Sequence, residues 1–431
     1  MLLIILILIT LSLIIVFIKF KSTCPTTSPP SLPPSSSTIL QTTKKKKVKK
    51  PLPIPRFIKN NVAITKLVRS RGLGRNAQHV TLYNDLIYIR FLQRNKKGNT
   101  IIVLNKRFSV IDEFCKVPGT CIQVVGNYLY VGVPHNIYRY DIDSTTGLVS
   151  NKDSPSLILR GVHSNRVSDS PIFVIDKGIM YVHIPSQTNS CQIIHLDRKK
   201  DSPGEMPCNR FKFTSNVWLF QADKVNQTLD MGQLYATGIR KMKSLVIYNN
   251  QLYGIIQGRD SLFELYPQFY TKEQGDKLAS DELVFIQRNS SFGFPYCYWD
   301  SSISKRVLAP EYKGDGKEVA GCNSLTDKPI KTFDNHNGPN DLLIDGDVLY
   351  IAWNGKPYPL KCTTETCSNL SVTYHVLNKD DEEMEIIDNG ILVQFDKRHL
   401  TKPSGLAKLP DGSILIVDSM TGKLWKSVLK K

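Results

Sequence analysis

Acidic residues are absent from the first sixty positions, which hold ten Lys or Arg. The formal net charge of +18 therefore overstates the rest of the chain, where 46 basic residues face 38 acidic ones. That excess, with no recognised nucleic-acid motif, reads as a solvated basic surface and not as nucleic-acid contact. No two neighbouring cysteines have the two-residue gap of a zinc knuckle, which argues against a structural zinc site. Long helices are scarce too: past Ile18, only Glu273 to Ser280 is expected to hold a helical turn.

What is present begins with an apolar run, Met1 to Ile18, followed by Lys19 and Lys21. About 18 to 20 apolar residues span a bilayer as a helix. The basic start, shorter core and small-residue cleavage site of a signal peptide are not clear here. Residues 1–20 are therefore expected to form an uncleaved transmembrane anchor in contact with lipid. Residues 21–55 read as a tether: Ser/Thr/Pro-rich from Pro25 to Ser37, then a lysine run over Lys44–Lys50, then Pro51 to Pro55. Such composition buries no core and predicts a disordered or polyproline II segment. The lysine run reads either as a contact to anionic lipid or as a solvated spacer.

The compartment is read from cysteines and sequons. Cys24 lies beside the anchor, and the other eight cysteines fall into local couples: Cys115/Cys121, Cys191/Cys208, Cys297/Cys322 and Cys362/Cys367. An even set of local couples predicts four disulfides in an oxidising space. Asn-x-Ser/Thr sequons at Asn226, Asn289 and Asn369 agree with a lumenal or extracellular domain. The positive-inside rule argues the other way, since it places Lys19, Lys21 and the lysine run in the cytoplasm. High Lys, Asn and Ile content fits an AT-rich genome, such as that of a protist or a large virus. In the viral case the anchor would sit in a virion membrane.

From Arg56 to Lys431 one pattern recurs: a turn residue, then Leu-Tyr or a close relative, then alternating apolar residues. Copies begin near Asn84, Gly126, Lys177, Asn250, Asp345 and Asp411. Three are followed by an apparent second strand, at Asn136–Tyr140, Ser261–Leu265 and Gly422–Trp425. Alternation bounded by Gly, Asn or Asp is a strand and hairpin signal. Six copies at uneven spacing predict an all-β fold, a six-bladed β-propeller with long inserts, behind the anchor and tether. Two packed sandwiches would need a linker after Pro55, and none is visible.

The stretch from Tyr235 to Asp300 carries three ordered motifs: Gly238-Ile239-Arg240-Lys241, the corner Gln257-Gly258-Arg259-Asp260, and an aromatic segment from Phe292 to Trp299. It resembles the soluble quinoprotein glucose/sorbosone dehydrogenase family, where a "GxRN" turn, a "QG" corner and an "FGxP" closure surround pyrroloquinoline quinone (PQQ) and calcium. The resemblance covers Val162 to the C-terminus, and it implies the same six-bladed fold. It also implies that Arg240, Lys241 and Gln257 contact the cofactor, and that the backbone carbonyls of Gly258 and Arg259 ligate Ca²⁺. Asp260 either adds a carboxylate or caps the turn.

His163, in Gly161-Val162-His163-Ser164-Asn165-Arg166, resembles the family's catalytic base in "GxHxxR"; Pro185 stands where the following segment has Gly. A base of near-neutral pKa suits removal of a sugar hydroxyl proton. His336, in His336-Asn337-Gly338-Pro339-Asn340, resembles an "HxAP" corner, whereas His183 and His195 read as ordinary strand-face residues. Three polar positions depart from the family: Lys241 replaces Asn, Lys402 replaces Arg before Pro403-Ser404-Gly405-Leu406, and the segment Trp353-Asn354-Gly355-Lys356 lacks the Arg of "HGSWNR". Lys356, shifted by one, is the substitute for that Arg, without its bidentate fork. The implied function is a membrane-tethered, PQQ- and calcium-dependent sugar dehydrogenase with an unspecified electron acceptor. The alternative is a propeller without redox activity, serving as a glycan-binding or structural surface or virion protein.

Overall fold

The computed structural model describes residues 62–66, 73–93, 98–162, 164, 166–319, 321–335, 337–355, 370–378, 384–395 and 401–429. The expected anchor and tether lie outside these, as do His163, His336, Lys356 and the Cys362/Cys367 couple. Among the described residues no helix is long and apolar enough to cross a membrane.

The strands form six four-stranded antiparallel sheets, the blades of a propeller. The first strand among the described residues is β1 (Val62–Lys66). Blade one is β2 (Ala77–Tyr83), β3 (Leu86–Phe91), β4 (Ile101–Leu104) and β5 (Val110–Phe114). Blade two is β6 (Ile122–Val125), β7 (Tyr128–Val133), β8 (Asn136–Asp141) and β9 (Ser156–Leu159). Blade three is β10 (Ile172–Asp176), β11 (Ile179–Ile184), β12 (Asn216–Gln221) and β13 (Gln233–Ala236). Blade four is β14 (Met242–Tyr248), β15 (Gln251–Ile256), β16 (Asp281–Ile286) and β19 (Lys331–Phe333), with a hairpin of β17 (Cys297–Asp300) and β18 (Lys305–Leu308) inserted. Blade five is β20 (Pro339–Asp345), β21 (Val348–Asn354), β22 (Leu370–Leu377) and β23 (Ile386–Gln394). Blade six is β24 (Pro403–Lys408), β25 (Ile414–Asp418) and β26 (Leu424–Leu429), completed by β1, which pairs with β26 from Val62↔Leu429 to Lys66↔Trp425. The first of the described strands thus closes the ring.

Each copy of the recurring sequence pattern marks the turn into a blade's second strand. In blades one to five that turn has two residues, as in Asp176↔Ile179 and Tyr248↔Gln251. Tight turns that match strand twist need positive φ at both central positions. Lys177 and Gly178 (47° and 80°) and Asn249 and Asn250 (49° and 61°) adopt it. Second strands are buried on both faces, because each blade is sandwiched between two others: β21 is buried from Val348 to Trp353. The inner strands β2, β6, β10, β14, β20 and β24 line a central channel of about 330 Å³.

Two expectations are corrected. Ser261–Leu265 is not a strand: Leu262–Leu265 is a single helical turn entered through Ser261 at φ 63°. Leu262 and Leu265, three residues apart, are its buried pair, a spacing a short apolar run does not separate from alternation. Cys115 and Cys121 are free thiols, whereas Cys191–Cys208 and Cys297–Cys322 are bonded. The buried Arg90 guanidinium occupies the loop between the free pair, donating to Thr100 Oγ1 (2.7 Å) and the Gly132 carbonyl (3.1 Å), with Cys115 Sγ 3.6 Å away. Cys121 Sγ instead donates to the Phe173 carbonyl. The expected short helix is present at Lys272–Lys277, capped by Thr271 and Gln274.

Candidate active site

Antiparallel blades place the residues before a first strand and those after a second strand at the same end of the ring. That end gathers Asp169, Asn189, Arg240, Lys241, Gln257 to Asp260, Asn335, Asn354 and Lys402. The site is built on loops over a rigid scaffold.

Arg240 organises it. Its buried guanidinium donates through Nη1 to the Gly258 carbonyl (2.6 Å), through Nη2 to Asn189 Oδ1 (3.0 Å) and Asp260 Oδ2 (2.9 Å), and through Nε to the Asn189 carbonyl (3.3 Å). Burial lowers its pKa, with Asp260 opposing. Arg240 therefore locks the Gly258 corner to the loop after β11. Asp260 closes this lock: it also takes Arg198 Nη2 at 2.6 Å, and its backbone N–H donates to Asn189 Oδ1.

Lys241 turns from this cluster to Asp169, with Nζ 2.6 Å from Oδ1. Burial alone would raise the Asp169 pKa, but Lys241 brings the net shift down. Gln257 is half-buried; its backbone N–H donates to the Lys241 carbonyl, and its carboxamide makes no hydrogen bond among the described residues. Lys402, just before β24, has no side-chain partner among them, and burial lowers its pKa.

At the Gly258–Arg259 corner each carbonyl already accepts one hydrogen bond: Gly258 from Arg240, Arg259 from Asn335 Nδ2 at 2.9 Å. A carbonyl keeps a second lone pair. Beside the corner the fully buried Asp281 takes the Gly258 N–H on Oδ1 (2.9 Å), while Oδ2 is left without a hydrogen bond. Burial pushes the Asp281 carboxyl up to about 8. Two free carbonyl lone pairs near an orphaned carboxylate oxygen suit a hard cation. The Arg259 side chain points elsewhere, into a buried bidentate pair with Glu311. Phe292, Phe294, Pro295 and Tyr298 line a cavity of about 30 Å³ together with Gly258 and Arg259 of the corner.

Several site residues had no sequence signal of their own. Asp169, Asp281, Glu311 and Asn335 act through partners far away in the chain, which one sequence does not reveal. Lys243 is two residues past Lys241 on β14, and that spacing alone hinted that both face the same way.

The fold and this loop-built end define a class: a six-bladed propeller with a polar site over its axis. Solved structures share that fold at low identity. The calcium structure of a Trichoderma reesei carbohydrate-active enzyme of family AA12 matches at 13% identity and a TM-score of 0.66, over 86% of this chain and 96% of that one. The holo PQQ domain of Coprinopsis cinerea pyranose dehydrogenase matches at 14% and 0.64, over 87% and 98%. The apo soluble aldose sugar dehydrogenase of Escherichia coli matches at 11% and 0.55, over 85% and 99%. No curated protein matches in sequence. Residues 58–369 match the TrAA12-like family model, and the chain belongs to that family of PQQ-dependent oxidoreductases. The resemblance read from the Tyr235–Asp300 stretch is thereby borne out.

Proposed function

We propose that the protein is a PQQ-dependent dehydrogenase of sugars, with Ca²⁺ at the Gly258–Arg259 corner. Family membership supports the reaction class, and the observation that carries the reading to this chain is the corner itself. Its carbonyls, locked by Arg240 and flanked by the orphaned Asp281 oxygen, fit the ion that polarises a quinone. Lys241, Lys402, Gln257 and, by resemblance, Lys356 are the groups that would hold the anionic cofactor. When bound, PQQ supplies the hydride acceptor. The chain's own part is to orient the sugar, exclude water beside the Phe292–Tyr298 segment and accept the hydroxyl proton, a role the resemblance gives to His163.

The departures from the family fit a retuned site. Lys241 spends its charge on Asp169, and Arg240 spends most of its donors on the corner, so the cofactor meets fewer free cations. The two disulfides fit an oxidising extracellular or lumenal space. Exposed turns at Asn226 and Asn289 leave those sequons accessible to glycosylation. Tethering through residues 1–20, in a cell or virion membrane, completes the proposal.

The test is a titration of PQQ into the disulfide-bonded full chain with calcium present, followed by absorbance, then aldose oxidation with a dye acceptor. Saturable binding, with turnover lost in His163→Ala and binding retained, is the expected result. A folded, calcium-replete protein that binds no PQQ would overturn the reading and leave a propeller that acts as a glycan-binding or structural surface protein.

A further inference from the structure

Below the mouth the central channel narrows. A constriction of about 10 Å³, room for roughly one water or one monatomic ion, is lined by Gln78, His79, Thr120, Cys121, Lys243 and Asn340 among others. Lys243 also lines the wider channel, so its side chain sits where the two meet.

We propose that this constriction is a binding site for a small monovalent anion of the chloride class, held between Lys243 Nζ and the Thr120 hydroxyl. Three observations lead there. The half-buried Lys243 side chain makes no hydrogen bond or ion pair among the described residues, and Asp169 acts on it only through space. The nearby carboxylates are already committed. Asp169 holds Lys241, while Asp341 deeper in the channel accepts from Ser244 Oγ (2.9 Å) and the Leu406 N–H (2.8 Å) and faces His79 Nε2 at 3.4 Å. Finally, the buried Thr120 Oγ1 has no hydrogen-bond partner, although a hydroxyl can donate. A cation that lines a narrow, protein-walled constriction gains from a counter-charge beside it. A water would satisfy the hydroxyl but leave the ammonium uncompensated, whereas a monoanion answers both. Burial and Lys241, with Asp169 opposing, pull the Lys243 pKa down to about 7, and a bound anion would push it back up.

The site lies below the cofactor mouth and does not depend on the redox reading, so the test uses the full chain without PQQ. Thermal unfolding is followed in rising sodium chloride and, at matched ionic strength, in sodium gluconate, whose anion is too large for the constriction. The expected result is a saturable rise in Tm of a few degrees in chloride alone, as for any ligand that binds only the folded state. Lys243→Met should remove the response and give one Tm in both salts. Thr120→Val should shift the chloride midpoint about tenfold higher, as expected for a lost hydrogen bond to an ion. Should Lys243→Met not fold, bromide soaked into wild-type crystals decides by anomalous scattering. A peak at the constriction supports the site, and its absence overturns it. Equal Tm for the wild type in chloride and gluconate, or an undiminished response in Lys243→Met, overturns it as well.

Discussion

At the scale of single residues, His183 shows how a buried histidine works as a clamp. Its sequence context on β11 suggested an ordinary strand-face residue. In the structure Nε2 accepts the Met242 N–H at 3.0 Å and Nδ1 donates to the Asn216 carbonyl at 3.2 Å, which fixes a neutral ring. The clamp sets the start of β14, one residue past Lys241. Burial, with Lys241 adding repulsion, pushes the His183 pKa down to about 3. An unfolded histidine takes its proton near about 6.5. The contribution of His183 is therefore complete above that pH and is lost as pH falls towards 3, at about 1.4 kcal/mol per pH unit. His183→Gln should cost about 1–3 kcal/mol near neutrality through its two buried hydrogen bonds. The gap between wild type and variant, measured by urea unfolding, should narrow steadily from about pH 6.5 to about pH 4. A gap independent of pH would show that His183 is not held neutral. The same scale explains what was legible in the sequence. Gly258 and Arg259 could be put forward as ligands because carbonyl ligation needs only a backbone corner. The structural duty of Arg240 could not, since it depends on Asn189 and Asp260 converging from two other loops.

At the scale of elements, the insert between β16 and β19 packs beside the Gly258–Arg259 corner. It carries the Phe292–Trp299 segment and the β17–β18 hairpin, closed by Cys297–Cys322 at a separation of 25 residues. Arg306 of β18 reaches back to Glu282 of β16 in a buried pair with Nη2 2.6 Å from Oε2. Arg259 pairs with Glu311 just past the hairpin. The disulfide and these two ion pairs therefore hold the insert on blade four. A cross-link over such a loop contributes about 3 kcal/mol by the loop-entropy account. The double variant Cys297→Ser/Cys322→Ser should lose about that much stability and bind PQQ more weakly, since Phe294 and Tyr298 would no longer be pinned beside Gly258. Unchanged affinity, measured with the same absorbance titration, would show that the insert is held by the ion pairs alone. Strand positions were largely legible in the sequence because turn chemistry repeats. The failure at Ser261–Leu265 has a physical cause: four residues give too few repeats to separate a helical turn from a strand. The Cys115/Cys121 couple failed for another reason, because Arg90, which occupies that loop, comes from a different blade strand and no spacing rule anticipates it.

At the scale of the whole molecule, the number of blades was legible in the sequence and their mutual attachment was not. Six turn signals gave six blades, yet nothing in Val62–Lys66 marks it as the strand that closes the ring, because pairing partners at opposite ends of a chain leave no local trace. The axis is held in a similar non-local way. Asp341 of β20 accepts from Ser244 Oγ of β14 and from the Leu406 N–H of β24, and it faces His79 of β2, whose Nδ1 lies 2.8 Å from the Ile122 carbonyl of β6. One carboxylate therefore joins four blades and, through His79, a fifth. Burial alone would lower the His79 pKa, but the Asp341 charge and hydrogen bond, with the Ile122 carbonyl, raise it overall. A raised histidine stabilises the fold fully below its unfolded value of about 6.5 and loses that contribution as pH rises through the folded value. Asp341→Asn puts an amide N–H against donors that need an acceptor and removes the counter-charge of His79. It should destabilise the ring by roughly 2–4 kcal/mol. Two readouts separate this account from simple loss of packing. The His79 pKa, followed by NMR titration, should fall below its unfolded value once only the Ile122 carbonyl opposes burial. The alkaline loss of stability attributed to His79 should vanish in the variant. A His79 pKa unchanged by Asp341→Asn would mean that Asp341 serves only as a hydrogen-bond acceptor for β14 and β24, and that the charge at the axis plays no part in holding the blades together.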